Sequence, residues 1–170
     1  MYQRILVPSD GSPSSVAACI HAVALAARIN AELFILQVIS PYQLPVYLDY
    51  GPAALYTEEE YLRQCQAGAD RHLAMLAAQA DATEVQSVGK AIFKSNVAQA
   101  IVDEASALAC QLIVMGSHGR SGLARLFLGS VTARVLPLSH VPVLVHRASE
   151  GELATAENLL GTAGTAPPAG

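Results

Sequence analysis

The sequence predicts an α/β fold: a doubly wound, Rossmann-like sheet of five parallel strands in the order 3-2-1-4-5, with helices on both faces. Three observations predict it. Five short apolar runs recur along the chain, mostly continuous rather than alternating, which is how strands buried on both faces of a parallel sheet read. Segments with helical spacing of apolar residues lie between them, so a βαβ rhythm with right-handed crossovers follows. After the fourth run comes a glycine-containing stretch, placed where a strand hands over to a helix through a loop.

The first strand is residues 4–7, stopped by Pro8-Ser9-Asp10-Gly11. Ser12 caps the first helix and Pro13 takes its first position, and Val16, Ile20, Val23, Ala24 and Ala27 share a face up to about Ile29. Residues 33–39 form the second strand. A connection carrying Pro45, Gly51 and Pro52 then runs to about Tyr56, long enough to be functional. Thr57 and Glu60 make a capping box that opens the second helix, with Leu62, Cys65, Ala69, Leu73, Leu76 and Ala77 on one face. The third strand, residues 85–93, is the weakest, since Gly89 interrupts it and Lys90 and Lys94 flank its end. Ser95 or Asn96 caps the third helix, whose core face is Val97, Ala100, Ile101, Ala105 and Leu108. Residues 111–115 are the fourth strand. A short helix over residues 123–128 is expected inside the glycine stretch, and the fourth helix starts at Ser130 and is ended early by Pro137. Residues 141–145, Val141-Pro142-Val143-Leu144-Val145, close the sheet. Residues 1–147 thus read as one domain. Residues 148–170 read as a largely disordered tail, with a helix over residues 152–160 left open.

Composition excludes several classes of function. The chain has 170 residues, 52 % hydrophobic and 14 % charged, enough for one domain with a full core. A net charge of -4 gives no global attraction for nucleic acid. No apolar run approaches the roughly 18 residues that cross a bilayer, and the opening Met1 to Pro8 is too short for a secretory signal, so no membrane partner and a cytoplasmic location are expected. Cys19, Cys65 and Cys110 stand singly without a C-x-x-C and read as buried reduced thiols. His21, His72, His140 and His146 have no metal-ligand spacing, and no G-x-S-x-G occurs.

The stretch that suggests chemistry runs from Val114 to Ser130. Gly116, Gly119, Gly129 and Ser130 fall in the spacing G-x2-G-x9-G-S. Glycines there let backbone N–H groups approach a ligand, and the helix opening at Ser130 adds unpaired N–H groups and partial positive charge, a combination that suits phosphate. It is not a Walker loop, because the only lysines are Lys90 and Lys94, and no G-x-G-x-x-G is present. In the predicted strand order the switch point lies between strands one and four, where ligands bind outside the carboxyl ends. Pro8, Ser9 and Asp10 would meet Met115, Gly116 and the glycine loop there. Each residue also has a plain structural reading. Asp10 can be a turn or helix-start aspartate, Val38 a core valine, Ser130 the cap of the fourth helix, and His118 an exposed loop residue. Arg120 and Arg125 are the available cations of the loop, Arg120 the preferred one.

The wording Met-Gly-Ser-His-Gly-Arg-Ser-Gly-Leu, followed by Leu-Gly-Ser-Val, resembles the nucleotide loop of the universal stress protein family, in which G-x2-G-x9-G-[ST] accompanies ATP binding. The resemblance covers roughly residues 3–147, including Ile-Leu-Val-Pro-x-Asp-Gly-Ser and Val-Pro-Val-Leu-Val. It implies binding of ATP or a related adenine nucleotide, with Mg²⁺, and a homodimer joined through the last strand, Val141 to Val145. Pro142 suits such an edge, because it cannot donate a ladder hydrogen bond. It also implies that Asp10 and Val38 touch the nucleoside; Pro8 and Ser9 would shape the same pocket wall, and on the residues' own chemistry Gly116, His118, Gly119, Arg120, Gly129, Ser130 and Val131 are the candidates to surround the phosphates. Two departures bear on local geometry: Phe93-Lys94-Ser95-Asn96 stands where relatives often have a Gly-Asp-Pro-like turn, and Pro137 interrupts the fourth helix. Three functions follow, in this order: an ATP-binding stress-response regulatory module; a slow ATPase or phosphotransfer enzyme, with Asp10 and His118 as its only candidate proton-transfer groups; and a structural or chaperone-like stress dimer.

Overall fold

In the computed structural model, which describes residues 2–40, 57–117 and 128–164, the apolar runs become β1 (Arg4–Pro8), β2 (Glu32–Ile39), β3 (Ser87–Phe93), β4 (Leu112–Gly116) and β5 (Val143–His146). They pair in parallel in the order β3-β2-β1-β4-β5. The helices are α1 (Pro13–Ile29), α2 (Glu58–Asp81), α3 (Val97–Ala107), α4 (Ser130–Leu138) and α5 (Glu150–Gly164). The central strand sets the register on both sides, with Ile5 opposite Leu33 and Leu112, and Leu6 opposite Phe34 and Ile113.

Strand alternation sorts the core into two layers. Ile5, Val7, Leu33, Ile35, Leu112 and Val114 point to the face covered by α1 and α2, where Val16, Cys19, Val23, Leu73 and Leu76 meet them. Leu6, Phe34, Leu36, Ile113 and Met115 point the other way, onto Ile101, Val102, Ala105 and Val135 of α3 and α4. Most of these side chains are wholly buried, each worth about 1.5–3 kcal/mol of transfer free energy. That explains why the central strands show no polar face. Burial also pushes the Cys19 thiol up to about 12 and the Cys110 thiol up to about 11, so both are inert at neutral pH. Cys65, expected to be buried, is only half-buried.

The helix starts follow the residues that satisfy their first N–H groups. Ser12 Oγ accepts from Ser15 N at 3.2 Å, Thr57 and Glu60 form the full capping box, and Asn96 rather than Ser95 caps α3 through Gln99 N. Several boundaries differ from expectation. β3 starts at Ser87, because Val85 N is taken by Ala80 O in the turn that ends α2. β5 starts at Val143, because Val141 N and O both bond Ser139 Oγ and Pro142 has no N–H. Helix α4 runs through Pro137 and ends one residue later at Leu138. The connection over residues 41–56 and the short helix expected within residues 123–128 lie outside the described residues, apart from Leu128.

The expectation of a largely disordered tail needs correction. Ser149 and Glu152 form a second capping box, Glu152 Oε2 accepting from Ser149 N at 2.7 Å and Glu152 N donating to Ser149 Oγ at 3.3 Å. Helix α5 follows and packs on the α1 face, with Ala156 fully buried and Leu159 and Leu160 partly so. Next to it, the His146 ring stacks on His21 at 4.4 Å between centroids. His146 Nε2 is buried without a hydrogen bond and lies 3.3 Å from Glu152 Oε1.

Replacing Ala156 with Glu should therefore detach α5 and leave the sheet intact. Hydrogen exchange would show lost protection over residues 150–164, with the strands still protected. A pH dependence also follows. Burial first, and His21 second, hold the His146 imidazole below the ordinary histidine value, against the opposing pull of Glu152. The unfolded chain then takes the proton first as pH falls below about 6.5, so this stability is present above that pH and is lost as pH drops through the folded value. The Glu152 carboxyl, lowered chiefly by its bonds to Ser149, loses its own contribution only below about pH 4.5. Urea midpoints should fall from pH 7.5 to 5.5, and fall less steeply in His146→Gln. Equal slopes would place the proton elsewhere.

Candidate functional site

β1 lies between β2 and β4, and the chain leaves β1 and β4 toward opposite faces of the sheet, so a crevice opens at their carboxyl ends. A cavity of about 270 Å³ occupies it, lined by Pro8, Ser9, Asp10, Ser15, Leu36, Val38, Val97, Ile101, Met115, Gly116, Gly129, Ser130, Val131 and Thr132. Every expected site residue among the described ones is there: Pro8, Ser9, Asp10, Val38, Met115, Gly116, Gly129, Ser130 and Val131. His118, Gly119 and Arg120, with Arg125, lie outside the described residues. Leu36, Val38, Val97, Ile101 and Met115 make an apolar wall from β2, α3 and β4, while Ser9, Asp10, Ser15, Ser130 and Thr132 supply polar groups.

The β1 side is held by a chain of short-range bonds. Asp10 Oδ1 accepts from Ser12 N at 3.0 Å and Ser12 Oγ at 2.7 Å, with Gly11 at φ 80° completing the turn. The turn aspartate and the cavity aspartate are thus one residue. Ser9, 4 % exposed, donates its N–H to Leu36 O at 2.8 Å. Its hydroxyl lies 3.0 Å from Ser15 Oγ and 2.8 Å from His72 Nε2.

On the β4 side the glycines have different jobs. A Cβ at Gly116 would sit 2.8 Å from the Ser14 carbonyl oxygen, so this glycine lets the end of β4 pack against the first turn of α1. Its carbonyl accepts from Thr132 Oγ1 at 3.0 Å, tying β4 to α4. Ser117 N donates to His146 O and Ser117 O accepts from Gly129 N at 2.7 Å, which brings the two ends of the intervening segment together beside the cavity. Gly129, not Ser130, is the N-cap of α4, and no side chain caps that helix. Ser130 is the first helical residue, where helix N–H groups lack intrahelical partners and favour an anion.

Ser15, Leu36, Val97, Ile101, Thr132 and His72 were not anticipated. Ser15 and Thr132 sit in the first turns of helices at the switch point, a signal available from topology. His72 carries no such signal, because its place against Ser9 depends on how α2 packs. Among the described residues no group of three His, Cys, Asp or Glu side chains could hold a metal ion, and no helix is long and apolar enough to cross a membrane.

The model of the universal stress protein family matches residues 1–147. A universal stress protein of Methanocaldococcus jannaschii is 32 % identical over 148 residues, covering 85 % of this chain and 82 % of that protein. Universal stress protein YxiE of Bacillus subtilis is 33 % identical over 150 residues, covering 86 % of this chain and 100 % of YxiE. The solved structure of a universal stress protein in complex with cAMP superposes with a TM-score of 0.64 at 27 % identity, covering 87 % of this chain and 98 % of that one. Sheet order, helices on both faces and matched sequence agree, and the chain belongs to the universal stress protein family.

Proposed function

We propose that this protein binds ATP or a related adenine nucleotide and acts as a homodimeric stress-response regulatory module in the cytoplasm, with 1–147 as its nucleotide domain. The observation that carries the reading is the convergence of Pro8, Ser9, Asp10, Val38, Met115, Gly116, Gly129, Ser130 and Val131 on one cavity from four separate parts of the chain. The apolar wall suits a planar base, Asp10 suits a donating hydroxyl or amine, and the opening turn of α4 with the glycine segment suits phosphates. His118, Gly119 and Arg120 belong to the same proposed phosphate site. The cAMP complex of a relative supports an adenine nucleotide as ligand class. Mg²⁺ would arrive on the phosphates, with Asp10 the one carboxylate among the described lining residues.

Binding with little turnover is favoured over an ATPase, because Asp10 is also the only titratable side chain among the described lining residues, and its Oδ1 already serves the turn. For the dimer, β5 with Val141 and Pro142 before it forms one edge of the sheet, which a second copy would cover.

Denaturing freshly purified protein should release an adenine nucleotide identifiable by mass. The emptied protein should bind ATP with Mg²⁺ saturably and release little ADP. Steady ADP production would make it an enzyme, and absence of binding would sink the nucleotide reading. Asp10→Ala should weaken ATP binding about tenfold, the worth of one hydrogen bond to a charged group. Asp10→Asn, which keeps the acceptor for Ser12, should lie between. Equal affinity in all three proteins would remove Asp10 from the site.

A further inference from the structure

The buried hydroxyls beside the cavity have a fixed proton count. Ser15 Oγ donates to the Ser12 carbonyl at 2.9 Å, and a carbonyl only accepts, so the Ser15 proton lies on that bond. The 3.0 Å contact between Ser9 Oγ and Ser15 Oγ then uses the Ser9 proton. The 2.8 Å contact between Ser9 Oγ and His72 Nε2 therefore needs a proton on Nε2. All three bonds coexist only when the chain runs His72 to Ser9 to Ser15 to Ser12. With Ser9 and Ser15 4 % and 5 % exposed, water is a poor substitute for any of them.

We infer that His72, on α2 and outside the cavity lining, is a positioning residue whose Nε2–H holds the Ser9 hydroxyl in its accepting orientation at the cavity wall. Ser9 has no donor left, since its N–H is on Leu36 O and its hydroxyl proton on Ser15. Ser15 has none either, since its N–H is on Ser12 Oγ and its hydroxyl proton on Ser12 O. Asp10, as a carboxylate, only accepts. The β1 wall therefore takes a ligand group that donates, as a ribose hydroxyl or an adenine amine does, and disfavours a carbonyl or phosphate oxygen there. That agrees with the orientation already proposed, with the nucleoside toward β1 and the phosphates toward α4. The inference rests on the nucleotide reading for its ligand, while the proton count stands without one.

Two experiments test it on the full chain. In ligand-free protein, ¹⁵N resonances should show His72 protonated at Nε2, and Ser9→Ala should shift the Nε2 signal; an Nδ1–H tautomer, or no response to Ser9→Ala, overturns the chain of bonds. ATP titrations should then give about tenfold weaker binding in His72→Leu, where Ser9 Oγ loses the donor that holds it and its hydroxyl can turn, and affinity within about twofold of the original in His72→Gln, whose amide N–H restores the donor. Adding Ser9→Ala to His72→Leu should cost less than the two changes summed. Unchanged affinity in His72→Leu, or failure of His72→Gln to rescue, overturns the positioning role. If the unaltered protein binds no ATP, the nucleotide reading falls, and the tautomer measurement still decides the chain of bonds.

Discussion

Parallel pairing of β1 with strands on both sides is the constraint on which the rest depends. Once Ile5 and Leu6 lie opposite β2 and β4 at once, the two faces of the sheet are apolar and must both be covered. The crossover from β1 through α1 covers one face, and that through α3 covers the other. Reversal of strand order at β1 then leaves a crevice that no helix fills. The cavity is thus a consequence of topology, and the residues at the carboxyl ends of β1 and β4 inherit it.

The two walls of that cavity are built differently. On the β1 side, hydroxyls, the Asp10 carboxylate and an imidazole neighbour satisfy one another in a connected set, a rigid arrangement because each member would be costly to leave unpaired. On the β4 side, the backbone does the work: Gly116 packs against Ser14, Ser117 bridges β5 and Gly129, and α4 begins without a side-chain cap. A helix start left without a side-chain partner in a cavity is suited to an anion, whereas the serine wall is suited to donors. Helix α5 connects to the same region, because the same His146 that bonds Ser117 through its carbonyl also meets Glu152 at the start of α5. The carboxyl end of β5 therefore touches both the segment beside the cavity and the C-terminal helix.

Much of this was legible in the residues themselves. Continuous apolar runs identified the strands, Ser12-Pro13 and Thr57 with Glu60 marked helix starts, and the glycine spacing with Asp10 located the crevice. Those signals are local: periodicity follows from burial on fixed faces, and caps satisfy N–H groups three residues away. The same local signal at Ser149 and Glu152 was present and was outweighed by the glycine-rich composition that follows it. Gly151, Gly161 and Gly164 lie within α5 all the same, because its docking against α1 with Ala156 buried offsets their poor helix propensity.

What the sequence by itself determined was the alternation of elements, hence the parallel sheet, its switch point and the residues brought to it. The folded structure decided the start of β3, where the turn closing α2 claims Val85 N, and the cap of α4, where Gly129 replaces Ser130. It also decided the docking of α5 on α1 and the meeting of His72 with Ser9 across 63 positions. The reason is physical: the last two contacts depend on how α5 settles against α1 and α2 against the end of β1, elements far apart in sequence. No periodicity along either segment encodes that distance.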